Sequence, residues 1–121
     1  MQMNTAVRGI RGATTAVGNN TEDICEATRE LLKEMIVKNQ VDTENIVSVL
    51  FSATPDLNSA FPARAAREIG WTKVPLFCHV EIDVPGALQH CIRVLILVNT
   101  TLEQDQVKHI YLKDTVKLRD F

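Results

Sequence analysis

Cys91-Ile92-Arg93-Val94-Leu95-Ile96-Leu97-Val98 is apolar at every position but one, and this run limits the fold more than any other stretch. Successive strand residues point to opposite sides of a sheet, so this strand is apolar on both faces apart from Arg93. Ile46 to Ala53 is a second near-continuous apolar run, rich in β-branched residues, which suits a strand covered on both faces. Neither approaches the roughly 20 residues that span a bilayer. Met1 to Val7 is polar and too short for a signal peptide, so a cytoplasmic protein is expected. The formal net charge of −2 provides no global field for nucleic acid or a membrane surface.

The remaining elements follow from spacing. Ala6 to Thr15 reads as a strand, and Gly18-Asn19-Asn20 as a loop. Thr21 is the expected N-cap of a helix, with Glu22 and Asp23 in a first turn where the dipole favours acids. Ile24, Thr28, Leu31, Leu32, Met35 and Ile36 recur at helical spacing until Asn39. After a turn at Thr54-Pro55-Asp56, Pro62 opens a second helix that runs to Ile69 and stops at Gly70. Strands are expected at Val74–Ile82 and Cys91–Val98, then a polar connection at Gln104–Lys108 and a short strand at Ile110–Leu112. The order β-α-β-α-β-β-β over one domain, residues 1–121, makes an α+β fold: a mixed β-sheet with two helices on one face. Its other face would stay bare, and oligomerisation is the economical cover.

Arg93 is the anomaly in the fourth strand. A buried, unpaired guanidinium costs several kcal/mol, so it needs an anionic partner, either a local acid or a bound anion. Arg8 and Arg11, three apart on a strand, face opposite ways, so at most one shares a given pocket. Arg64 and Arg67 share a helix face, as a solvated stripe or as a ligand contact. Glu81 ends an apolar strand, and Tyr111 is the single tyrosine. Cys25, Cys78 and Cys91 form no C-x-x-C pair, and His79, His90 and His109 lack ligand spacing, so neither metal nor cofactor is expected. The serines sit in no nucleophile elbow, and there is no glycine-rich phosphate loop. Several arginines with one carboxylate suit a small dicarboxylate or phosphate ligand better than acid–base chemistry.

Several blocks resemble the monofunctional trimeric chorismate mutases. They are Arg8-Gly9-Ile10-Arg11-Gly12-Ala13-Thr14-Thr15, Ser52-Ala53-Thr54-Pro55-Asp56-Leu57, Phe61-Pro62-Ala63-Arg64-Ala65-Ala66-Arg67 and Val74-Pro75 leading to Cys78. Glu81 with Asp83-Val84, Cys91-Ile92-Arg93-Val94 and His109-Ile110-Tyr111-Leu112 complete a likeness in register from about residue 7 to 119. The resemblance implies a homotrimer, a pseudo-α/β barrel with helices outside and active sites in clefts between subunits. It implies the Claisen rearrangement of chorismate to prephenate, on the route to phenylalanine and tyrosine, with no proton transfer. By position it gives Arg93 the ether oxygen and a carboxylate, Arg11 the enolpyruvyl carboxylate with Tyr111 assisting, and Glu81 the ring hydroxyl with Cys78 beside it. Phe61, Ala63, Leu76 and Phe77 would form the wall, partly from a neighbouring subunit. Arg67 would lie at the mouth, and Leu118 and Arg119 near the substrate. Three departures stand out. Arg64 replaces a lysine that occurs in relatives, and Phe77 is bulkier than the small polar residue expected. Strict alternation also sends Cys78 and Glu81 to opposite faces unless a bulge intervenes. A trimeric enamine/imine deaminase and a non-catalytic dicarboxylate-binding module are the competing readings.

Overall fold

The computed structural model describes residues 4–120, apart from the side chains of residues 119 and 120. Five strands and two α-helices alternate as β1 (Ala6–Thr15), α1 (Thr21–Asn39), β2 (Ile46–Ala53), α2 (Ala63–Glu68), β3 (Leu76–Val80), β4 (Cys91–Thr100) and β5 (Ile110–Tyr111). Single turns of 3₁₀ helix at Thr43–Asn45 and Gln104–Gln106 join them, and a longer one at Lys113–Asp120 follows β5. The sheet order is β3-β2-β4-β1-β5. β4 pairs antiparallel with β1 and β2, while β3 and β5 are parallel to their single neighbours. The expected mixed α+β sheet is therefore present. No helix among the described residues is long and apolar enough to cross a membrane.

Local chemistry corrects some boundaries. Asn20, not Thr21, caps α1: it has extended backbone angles and its side chain accepts from the N–H of Asp23. Thr21 is already helical, and its hydroxyl donates instead to the Ser59 carbonyl at 3.3 Å. At the C-terminal end Gln40 turns left-handed, φ 52°, so that its N–H reaches the Ile36 and Val37 carbonyls. Pro62 is the cap of α2, one residue before its first full turn, and Gly70 at φ +98° follows the helix as expected. β3 is shorter than the apolar run suggests. Its partner β2 ends at Ala53, whose carbonyl takes the Glu81 N–H at 2.8 Å, and beyond that point no strand continues.

One sheet face carries Ile10, Val49, Phe51, Ile92, Val94, Ile96 and Val98, all buried. Against it pack Ile24, Ala27, Leu31, Leu32 and Met35 of α1, while α2 rests on α1 and β3. Each large apolar side chain so buried is worth about 1.5–3 kcal/mol. Gly12 lets α1 approach: a Cβ there would meet the Met35 thioether and lie 3.1 Å from Leu31 Cδ1. Gly12→Val should therefore lower stability by about 1–3 kcal/mol through overpacking, while Gly12→Ala, which the flexible Met35 end can yield to, costs less. Equal melting temperatures for Gly12→Val and the native chain would contradict this packing.

The other face is covered within the chain only at one end, where Ala13, Thr15 and Cys91 are buried, and is otherwise bare. Leu50, Leu95 and Leu97 are half-buried there, and Phe77 is 62% exposed. Arg93 lies on this bare face with its side chain 50% exposed. The exposed second face expected of a lone sheet is therefore present, because the α-helices occupy only one side.

Candidate active site

The strand register sets one row of side chains across the bare face. Ala13 of β1 and Ser52 of β2 lie opposite Arg93 of β4. Tyr111 of β5 lies beside Ala13, and His79 of β3 beside Ser52. Ala13, buried between the two, separates the Tyr111 and Arg93 positions across β1. Glu81 joins from just past β3: its Oε2 is 3.1 Å from Arg93 Nε and accepts the Ser52 hydroxyl at 2.8 Å. Arg11, two residues from Ala13, shares this face, whereas Arg8 turns away and donates to the Leu102 carbonyl at 3.0 Å. A cavity of about 410 Å³ collects Arg11, Ser52, Glu81, Arg93 and Tyr111. With two guanidiniums and one carboxylate it favours an anion.

A family model for chorismate mutase type I matches residues 7–120. The chain belongs to that family. It is 48% identical over 114 residues to chorismate mutase AroH of Bacillus subtilis, covering 93% of this chain and 90% of the relative. Chorismate mutase AroH of Thermus thermophilus is 51% identical over 114 residues, with 93% of each chain covered. A solved chorismate mutase from Clostridium thermocellum superposes with a TM-score of 0.87 at 48% identity, over 88% of this chain and 96% of that one.

In this type I chorismate mutase chain the remaining candidate residues fall elsewhere. A second cavity of about 610 Å³ is lined by Phe61, Arg64, Arg67 and Cys78. Register explains the division. β2 and β3 pair without a break from Val49/Leu76 to Ala53/Val80, so no bulge intervenes. Cys78, beside Phe51, therefore faces the helices, while Glu81 hooks over the strand end toward Ser52. The two cavities flank β3 and share only His79 and Val80 of that strand. Ala63 is buried at the start of α2 and Leu76 packs on the core. Phe77 stacks on His79 with ring centroids 4.5 Å apart. None of these three lines either of the two cavities. Leu118 is half-buried in the last 3₁₀ segment, and the Arg119 side chain lies outside the described residues.

Electrostatics argues against a thiol nucleophile. Burial pushes the Cys78 thiol up, against the smaller opposing pull of the Ala63 N–H and Arg67. Among the described residues no group of His, Cys, Asp and Glu could hold a metal ion.

Three features escaped the sequence reading. Ser52 sits in no nucleophile motif, and its one signal is that of a polar residue within an apolar strand. A clip fixes the start of β4: Thr54 Oγ1 accepts the Cys91 N–H at 3.0 Å, and Asp56 accepts the His90 N–H at 2.9 Å. Burial alone would raise the Asp56 pKa, but the Thr54 hydroxyl, the His90 N–H and the His90 ring pull it below the usual value. His90 adopts φ 54° to make this connection, immediately before Cys91 and three residues before Arg93. Finally, His109 Nδ1 accepts the Arg11 N–H at 2.9 Å.

The His109 contact has a pH signature. Burial, and after it the charge of Arg11, lowers its pKa from the ordinary 6.5. Because the folded state resists this proton and the unfolded chain does not, stability should fall as pH drops below 6.5 and level off below the folded pKa. His109→Asn keeps an acceptor that cannot titrate. Denaturation midpoints between pH 7 and 5 should therefore decline less steeply in that variant; parallel declines would remove His109 from the account.

Proposed function

We propose that this chain converts chorismate to prephenate by Claisen rearrangement, as a cytoplasmic homotrimer whose active sites are completed between subunits. Family membership and near-half identity to chorismate mutases across almost the whole chain support the reaction. The observation that carries the site assignment is the cluster on the bare sheet face: Arg93 paired with Glu81, flanked by Arg11 and Tyr111.

The reaction breaks a carbon–oxygen bond and forms a carbon–carbon bond within one molecule, so no proton donor or acceptor is required. Negative charge grows on the ether oxygen as its bond breaks, and a fixed guanidinium aimed there stabilises the transition state more than the ground state. Arg93 takes that role and also grips a carboxylate. Arg11, its backbone held by His109, takes the enolpyruvyl carboxylate with the help of Tyr111. Glu81 accepts the ring hydroxyl. Together they hold the compact, chair-like conformer, which supplies the orientation part of the rate enhancement.

The placement of the two cavities supports assembly. Phe61, Arg64, Arg67 and Cys78 lie across β3 from Arg93, so one small ligand cannot touch both groups in one chain. A neighbouring copy that presents its second cavity to the first would join them and cover the bare face. Tail residues Leu118 and Arg119 would close over the substrate. Light scattering should then report three subunits in dilute solution, and a stable active monomer would contradict the arrangement.

The test of the reaction is the loss of chorismate absorbance on adding the purified chain, with prephenate as the product. Turnover of an imino acid without turnover of chorismate would favour the enamine/imine deaminase reading instead. Binding of chorismate without conversion would favour a non-catalytic module.

A further inference from the structure

Glu81 reaches the Arg93 pair from a weakly held position. It lies one residue beyond β3, fixed there by a single backbone hydrogen bond to Ala53, and residues 82–87 that follow are all exposed. A carboxylate on such a segment, left to itself, would sample several rotamers. Two donors converge on its Oε2: Arg93 Nε at 3.1 Å and the Ser52 hydroxyl at 2.8 Å. Both come from the centre of the sheet, where Ser52 and Arg93 sit opposite each other on β2 and β4.

We infer that Ser52 is a positioning residue, whose hydroxyl pins Oε2 of Glu81 beside Arg93 so that Oε1 is the oxygen turned to the substrate. The inference rests on the chorismate mutase reading of this site. Arg93 alone does not fix the carboxylate, because an ion pair through one nitrogen permits rotation about the contact. A second donor to the same oxygen, 2.8 Å away and anchored in the rigid β2 ladder, removes that freedom. It also leaves Oε1 as the acceptor for the ring hydroxyl. An apolar side chain at position 52 would keep the strand intact, yet release this anchor. Ser52 thus touches no reacting atom, and its effect on turnover passes through Glu81.

The test is a double-mutant cycle of the native chain, Ser52→Ala, Glu81→Ala and the double variant, read by steady-state kinetics and by chemical denaturation. Ser52→Ala should lower kcat by about ten- to hundredfold, the range for losing a hydrogen bond to a charged group, with a smaller change in KM. In the Glu81→Ala background the same change should alter kcat less than about twofold, because the acceptor it serves is gone. A native kcat in Ser52→Ala, or equal losses in both backgrounds, would overturn the assignment. The denaturation cycle reads the Ser52–Glu81 coupling without any substrate. If the native chain fails to turn over chorismate while that coupling is present, the function is at fault and the contact stands; if the coupling is absent, the contact itself is refuted.

Discussion

Arg93→Lys is expected to lower kcat by about 10²–10³, the loss of roughly 3–4 kcal/mol that follows removal of one well-aimed donor to developing charge. Lysine keeps the charge but not the planar fork. It cannot hold Glu81 through one nitrogen and address the ether oxygen with another. A neutral isostere such as citrulline keeps the fork and loses the charge, and it should be worse still while binding substrate measurably. The site explains why the loss falls on kcat. Glu81 and the half-exposed setting already stabilise Arg93 before substrate arrives. In the proposed mechanism its added contribution comes when the ether oxygen gains charge. Should either variant raise only KM, Arg93 is a uniform binding residue and the mechanism is wrong.

The second large effect is expected at Glu81. Glu81→Ala removes the proposed acceptor for the ring hydroxyl and leaves the Arg93 guanidinium without its ion-pair partner. Turnover should fall by orders of magnitude through lost orientation, since a well-held reactive pose is worth several kcal/mol. The fold should survive, because Glu81 lies past the end of β3 and only its backbone joins the sheet. Near-native kinetics in Glu81→Ala would remove it from the site. Unfolding of the variant would show that the pair with Arg93 is chiefly structural.

Much of this architecture was legible in the residues because burial writes itself as period. The stripe from Ile24 to Met35 specified α1, and the apolar runs specified β2 and β4 almost to the residue. Arg93 was visible as a charge within an apolar strand, and the opposed arginines of β1 were separated correctly by alternation. What stayed hidden depends on tertiary register. Alternation warned that Cys78 and Glu81 face opposite ways, but only the unbroken β2–β3 ladder shows that each belongs to its own cavity. Ser52 and His109 act through partners 29 and 98 residues away in sequence, which no local pattern reveals. β3 starts only after Pro75, which has no N–H to give the ladder, and stops where its partner strand β2 ends.

The central claim is that catalysis needs Arg93 and Glu81 of one copy facing Arg64 and Arg67 of another. Hybrid trimers test it most directly. Arg93→Ala chains and chains carrying Arg64→Ala with Arg67→Ala should each be nearly inactive alone. Refolded together in equal amounts, random assortment in a cyclic trimer gives about a quarter of the sites two native halves. Activity near a quarter of the native level is therefore predicted. Activity no higher than the average of the two parent proteins would place both halves within one chain and contradict the shared site.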